Sequence, residues 1–557
     1  MRPLPVGIDD FRQVREQYYF VDKSDFIREL LDRKNGVTLI TRPRRFGKTL
    51  MLSMVESFFS IRRAGESEAL FRGLAIEKAG SAYMSQRGQY PVIFLSFKDL
   101  RCRSWEEMID GLRMFLSRLY HRFLFLLESG KLDAVSQQYF ERILYRQGTL
   151  AEMAASLVEL TEFLCSFYGR RVIVLIDEYD APIQQAWEAG YYEDCLTFMR
   201  NFLSYGLKSN DALEWAVLTG VLRVAKESIF SGLNNLSVYS VLSPVYCRVF
   251  GFTPGEVKQI AADFGGREKL DEIRYWYDGY RFGGREVYNP WSVLRYFADG
   301  QHPMPYWVNS GYNGLLRELL MHADTDRLQT LHRLIEGQSI PVSLSGGTIY
   351  ESIGRDKNAL YSILLMTGYL TEAGAVPGSY ERYFLKIPNE EIKEVYAQEI
   401  LSHMADGLER GHFDALFDGL FSGRAADFAR ELQYILLHMA SAYDTASKES
   451  FYHGLMRGMS AVFLGRRYVV ESNRESGYGR FDIAIFPRDT TGTGVIMEFK
   501  AAPSEKELSV KAEEALRQIE DRKYRAAFEA RRIRHVWTYG IAFCGRRTEV
   551  RMSGEDE

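Results

Sequence analysis

Four stretches in the first 220 residues are short and apolar at almost every position: GVTLIT from Gly36, YPVIFLSF from Tyr90, RVIVLIDE from Arg171 and LEWAVLTG from Leu213. Apolar runs of that length, without alternation, predict strands buried on both faces, as in a parallel sheet. Between them the period becomes helical. KTLMLSMVESFF follows the first strand, and amphipathic stretches run from about Trp105 to Leu127 and from Leu150 to Phe167. Strands alternating with helices predict an α/β domain of the nucleotide-binding kind, built on a parallel sheet.

After FTPGEV (252–257) the pattern turns mostly helical and rich in aromatic residues, which reads as a lid and connecting region. Its aromatic stretch 275–291 carries no evident chemistry, so packing is the expected role. From about Ser447 the pattern changes again. A helix, ESFYHGLMRGMSAVFL, leads to strands YVVESN, FDIAIF and GVIMEFK, then to the helix ELSVKAEEALRQIEDRKY and a last strand, HVWTYGIAFC. The expected domains are 1–250, 251–445 and 446–557, with no internal repeat and no low-complexity segment.

The chain has 557 residues, too many for a single core, and its 46% apolar and 26% charged residues are ordinary for a soluble globular protein. The longest apolar runs, VIVLI and FLFLL, are too short to cross a bilayer, and the first ten residues lack a signal-peptide core. Five scattered cysteines form neither a disulfide framework nor a zinc spacing, which fits a reducing cytoplasm. A net charge of −4 argues against wholesale attraction to nucleic acid but leaves room for a local basic channel.

RPRRFGKT (42–49) ends as a phosphate-binding loop should, with Gly47, Lys48 and Thr49, but has Arg42 where the motif begins with glycine. Gly47 lets the backbone approach the phosphates, Lys48 brings a cation to the β/γ oxygens, and Thr49 ligates Mg²⁺ at a helix N-terminus. Arg44 and Arg45 can add charge-assisted hydrogen bonds to phosphate. The competing explanation is a basic strand-to-helix turn without a ligand. The hydrophobic strand ending in Asp177-Glu178 supplies the partner motif, with Asp177 for the Mg²⁺ shell and Glu178 to polarise the attacking water. Acids merely exposed at a strand end are the bland alternative. Thr219, ending the fourth strand, is a candidate sensor of the γ-phosphate, and Arg223 and Lys226 are candidate charge-stabilising groups.

The last module carries Asp482 in FDIAIF and, sixteen positions on, Glu498-Phe499-Lys500. This has the form of a metal-dependent nuclease centre. Alternation along a strand puts Glu498 and Lys500 on one side and Phe499 in the core. Adjacent strands joined by PRDTTGTG would bring Asp482 beside Glu498, where both can hold Mg²⁺ or Mn²⁺ through hard oxygen ligands while Lys500 orients the nucleophile. Glu449 is a candidate third acid and Gln518 a candidate positioning group. A cross-strand ion pair on a solvated edge would give the same spacing.

Taken together, LPVGIDDFRQVREQYYFVDKSDFIRELL, TRPRRFGKTLMLSMVESFF, LIDEYDAPI, SGLNNLSVYSV, WYDGYRFGG with VYNPWSVL, and ESGYGRFDIAIFP with IMEFK resemble a bacterial family across nearly the whole chain. Its members fuse an AAA-ATPase-like P-loop domain to a C-terminal PD-(D/E)XK nuclease-like domain. The family's loop itself reads R-P-R-R-F-G-K-T, so the missing glycine is a family trait. The resemblance implies nucleotide binding by Lys48 and Thr49, metal and water roles for Asp177 and Glu178, and a nuclease centre of Asp482, Glu498, Lys500 and Glu449. The expectation is a cytoplasmic ATPase, off the membrane, whose ATP and Mg²⁺ cycle controls a nuclease acting on DNA, with RNA as an alternative substrate. Related ATPases often form rings, so a homo-oligomer is a further expectation from the resemblance. The rival is a nucleotide-switched module that grips nucleic acid or a protein without cutting.

Overall fold

The computed structural model describes residues 2–224, 229–230, 234–307, 330, 333–335, 337–344, 357–379, 381–396, 410–438, 452, 456, 459–460, 468–476 and 479–553. They fall into two compact units, one of 1–310 with 337–392 and one of 311–336 with 393–557.

The first unit is organised by five strands: β1 (Val37–Thr41), β2 (Val92–Ser96), β3 (Val172–Asp177), β4 (Leu213–Gly220) and β5 (Leu236–Tyr239). They lie in the order β2-β3-β4-β1-β5 with every pairing parallel. All residues of β1 and β3 are buried, as their mostly apolar runs predict. The four anticipated strands are present. The fifth, LSVY, is only four residues long and half-buried throughout, too short for periodicity to single out. Ligands of such sheets lie at the carboxyl ends of the strands. Since β4 separates β1 from β3, the loop after β1 and the acids ending β3 meet across Thr219 and Gly220.

The helix Lys48–Phe59 is buried almost all round, with Met51, Leu52, Met54, Val55, Phe58 and Phe59 in the core. The helix Leu150–Tyr168 opens on a capping box between Thr149 and Glu152 and packs on the helix Tyr192–Leu207 at Gly206, where a Cβ would fall 2.5 Å from Leu157 Cδ2. The expected helix from Trp105 stops at His121, and a separate short helix follows at Phe125–Glu128.

The same unit contains the helices Pro254–Asp263, Leu270–Tyr277, Pro290–Ala298 and Lys357–Thr367. A hairpin joins β6 (Tyr280–Phe282) to β7 (Arg285–Val287), and β8 (Ile340–Ser343), β9 (Thr371–Ala375) and β10 (Arg382–Lys386) form an antiparallel sheet in the order β8-β10-β9. Strands of three to five residues give too few alternations to read, so this region shows only its helices to a periodicity search.

The second unit is a mixed sheet, β11 (Tyr468–Ser476), β12 (Gly479–Pro487), β13 (Gly494–Ala501), β14 (Val536–Cys544) and β15 (Arg547–Ser553), in sequence order. Only β13 and β14 are parallel, and the helix Leu508–Asp521 makes that crossover. One face of β13 (Val495, Met497, Phe499) joins a core with the helices Arg410–Phe421 and Ala425–His438; Ile496 on the other face packs with Leu516 and Ile519. Gly540 lets the crossover helix press onto the sheet, because a Cβ there would fall 2.2 Å from Ala512 O. Gly540 pairs with Glu498, so this close approach also fixes what lies over that carboxylate. The strand β15 followed the last anticipated one, and most of the helix expected from Glu449 lies outside the described residues.

Candidate functional sites

The carboxyl edge of the first sheet gathers the nucleotide-site candidates. Asp177 is 0% exposed, and both of its oxygens accept a hydroxyl: Oδ2 from Thr49 at 2.7 Å and Oδ1 from Thr219 at 2.6 Å. Register explains the geometry, because Ile40 of β1 pairs with Thr219 and Ile176 of β3 pairs with Leu218. Thr219, read as a phosphate sensor, here turns its buried hydroxyl to Asp177. Lys48 donates to the carbonyls of Arg42 and Pro43, each at 2.9 Å. Burial lowers its ammonium below the usual lysine range, against the pull of Glu178, Asp177 and Asp180. Desolvation likewise raises the Glu178 carboxyl, with Lys48 the chief opposing charge. Arg223 lies at the exit of β4, partly buried; Lys226 lies outside the described residues.

The residues suit a nucleotide with its metal. Gly47 has φ +83 and a Cβ built on it would meet nothing within 4 Å, so the backbone at the helix start is open. The first turn of the 12-residue helix offers N–H groups without helical partners. Thr49 and Asp177 present adjacent hard oxygens, the donor set Mg²⁺ prefers.

The arginines of the loop differ in kind. Arg42 is 0% exposed, and its guanidinium donates to the carbonyls of Thr41 (2.8 Å), Tyr239 (2.9 Å) and Val245 (3.4 Å) while lying over Phe282 and Phe250. Burial pulls it down to about 9. It therefore staples the loop entry to β5 and the segment beyond. Restoring the motif's glycine by Arg42→Gly leaves those carbonyls unpaired, a loss on the order of 2–4 kcal/mol. The expected outcome is a lower urea midpoint for the first unit, followed by nucleotide binding.

Arg45, at φ +67, donates to Tyr306 O at 2.9 Å and stacks 4.3 Å over the Trp291 ring. Phe46 is buried against Tyr280 and Phe282, both at 5.1 Å between ring centroids. Arg44 O accepts from Trp307 Nε1 at 3.5 Å, and Pro43 lies against Gly368. The aromatic stretch 275–291 is thus the bed on which the loop rests. Beneath it the buried carboxyl of Glu391 accepts from Trp307 N at 2.7 Å and Ser292 Oγ at 2.9 Å, and burial raises it to about 8.

The folded protein therefore keeps a proton that an unfolded glutamate releases near pH 4.3. Glu391's stabilising contribution is complete below about pH 4 and is lost as pH rises to about 8. Glu391→Gln should flatten the fall in thermal midpoint across that window; an unchanged pH profile would contradict this placement.

In the second unit Ile483 pairs with Met497, which sets Asp482 opposite Glu498. The two lock each other: Phe499 N donates to Asp482 Oδ2 at 2.8 Å, and Asp482 N donates to Glu498 Oε2 at 3.3 Å. Glu498 is 2% exposed, so this is no solvated edge pair. Lys500 Nζ lies 3.7 Å from Glu498 Oε1, which also accepts from Gln518 Nε2. The Gln518 amide reaches Tyr524 OH at 3.4 Å. These carboxylate oxygens suit Mg²⁺ or Mn²⁺. Among the described residues no group of three or more His, Cys, Asp or Glu comes together as a metal site. Glu449, the expected third acid, lies outside them.

Sequence reasoning passed over Asp180 and Tyr179 beside the first site and Tyr524 beside the second. LIDEYDAPI held the signal for Asp180, an acid standing just before a helix that begins Ala-Pro, although its carboxylate goes to the 221 and 222 amides and not to the helix. Nothing in the spacing pointed to Tyr524.

Residues 5–230 match the model of a predicted AAA-ATPase family, AAA-ATPase_like, and residues 447–552 match the PD-(D/E)XK nuclease superfamily. The chain belongs to the family that joins an AAA-ATPase-like domain to a C-terminal PD-(D/E)XK nuclease-like domain. It is similar to the "Uncharacterized protein in vnfD 5'region" of Azotobacter chroococcum mcd 1, at 32% identity over 407 residues, which covers 72% of this chain and 70% of that protein. Among the described residues no helix is long and apolar enough to cross a membrane.

Proposed function

We propose that the protein is an ATPase whose first unit binds and hydrolyses ATP and thereby controls a metal-dependent nuclease, acting on DNA, in its second unit. The observation that carries the reading is the reciprocal lock of Asp482 and Glu498 with Lys500 at 3.7 Å, in a chain that also holds Asp177 between two hydroxyls beside Lys48.

Lys48 brings its cation to the phosphate oxygens, and Arg44 at the loop adds positive charge. Thr49 and Asp177 would hold Mg²⁺, which neutralises phosphate charge when bound. Desolvation raises the Glu178 carboxyl above the usual glutamate range, the direction required of a group that orients water and accepts its proton. In the nuclease centre Asp482 and Glu498 would hold Mg²⁺ or Mn²⁺, which supplies a more acidic water and Lewis acidity at the phosphodiester when bound. Gln518 fixes one Glu498 oxygen, and Lys500 stands where it can orient the nucleophile. The test is cleavage of labelled DNA and RNA with Mg²⁺ or Mn²⁺, with and without ATP. Nucleotide-dependent binding without cutting under either metal would favour a switched binding module.

A further inference from the structure

Residues 177–180 are joined to residues 219–224 by a continuous set of hydrogen bonds. Thr219 Oγ1 donates to Asp177, and Tyr179 N donates to Thr219 O at 3.1 Å. One oxygen of Asp180, Oδ2, accepts from Val221 N at 2.9 Å and from Leu222 N at 2.7 Å. The Tyr179 hydroxyl donates to Leu222 O at 2.7 Å and accepts from Val224 N at 3.1 Å. Gly220 lies so close beneath this arrangement that a Cβ there would fall 2.6 Å from Asp180 Oδ1 and 2.7 Å from Tyr179 Cε1.

Glu178 stands in the middle of this seam. Its backbone is left-handed, φ +51, a conformation a glutamate holds only when its surroundings impose it. Asp177 fixes the residue before it, and Tyr179 and Asp180 fix the two after it. Asp180 is 2% exposed and its carboxylate accepts from both the 221 and 222 amides, so it cannot swing away cheaply.

We infer that Asp180 is a positioning residue for ATP hydrolysis: by gripping the 221–222 amides it imposes the backbone of Glu178 and so aims that carboxylate at the attacking water. The inference rests on the ATPase reading proposed above. The Asp180 carboxylate is taken up by the Val221 and Leu222 amides, so its loss acts on turnover through Glu178. Asn at this position keeps the size but replaces a carboxylate that accepts two N–H groups with a neutral amide, a weaker acceptor.

Steady-state ATP hydrolysis by the full chain should show kcat lowered about tenfold or more in Asp180→Asn, with KM within about threefold of the parent. Single-turnover rates with enzyme in excess then compare Glu178→Gln with the Glu178→Gln/Asp180→Asn double variant. If Asp180 acts through Glu178, the second change costs nothing further in that background. Gly220→Ala, which pushes on Asp180 and Tyr179 from below, should show the same split, and it carries the test if Asp180→Asn does not fold. An unchanged kcat in a folded variant overturns the inference, as does a double variant that loses the full additional factor. A parent that turns ATP over and is silenced by Glu178→Gln, but not by Asp180→Asn, sinks this inference alone. A parent that hydrolyses no ATP sinks the ATPase reading and the inference with it.

Discussion

Lys500→Ala should lower metal-dependent cleavage of labelled DNA at least about a hundredfold, roughly 2.7 kcal/mol of transition-state stabilisation, while ATP binding persists. The size follows from the position. Lys500 is partly buried, 3.7 Å from a carboxylate that is itself 2% exposed and held by Gln518. A surface ion pair at that spacing would be worth under about 1 kcal/mol and its loss would leave activity alone. Asp482→Ala should be as severe for a second reason. It removes the acceptor of Phe499 N as well as a hard oxygen, so Glu498 loses its counterpart across β12 and β13. Full cutting by both variants would remove these residues from the reaction.

The second large effect is expected in the first unit, where two variants should part binding from turnover. Lys48→Ala should abolish ATP binding at millimolar nucleotide, because the buried cation that offsets Glu178 and Asp177 is lost and those two acids meet the phosphates unopposed. Glu178→Gln keeps the size and the left-handed backbone and should retain ATP while lowering turnover on the order of a hundredfold, in the range general-base catalysis contributes. Isothermal titration and phosphate release measure the two directly. Equal loss of binding in both variants would place Glu178 in the phosphate cradle itself.

The parallel sheet was legible because a strand buried on both faces shows its burial in a run of apolar residues, unbroken over Val172–Ile176 in β3 and shorter in β1 and β4. The pairing of Asp482 with Glu498 was legible for a different reason. Strand alternation settles which side chains share a face, and one short connection between β12 and β13 leaves little choice of register. The arginines were not legible. Arg42 and Arg44 stand two residues apart in one motif, yet Arg42 is buried under β5 and two aromatic rings. Nothing local distinguishes a guanidinium bound for carbonyls from one bound for phosphate. What decides it for Arg42 is a set of groups far along the chain, the carbonyls of Tyr239 and Val245 and the rings of Phe250 and Phe282. The same long range hid Glu391. Asp180 was hidden by a brighter neighbour, since Asp177 and Glu178 already completed the expected motif.

The claim that joins the two units is that nucleotide state governs cutting, and one measurement tests it most directly. The full chain and its Glu178→Gln and Lys500→Ala variants would be incubated with labelled DNA and Mg²⁺ or Mn²⁺, without nucleotide, with ATP and with a non-hydrolysable analogue. Cleavage by the parent should change with nucleotide, Glu178→Gln with ATP should cut like the parent with the analogue, and Lys500→Ala should not cut in any condition. Cleavage that is the same in all three nucleotide conditions, or that survives in Lys500→Ala, would contradict that claim.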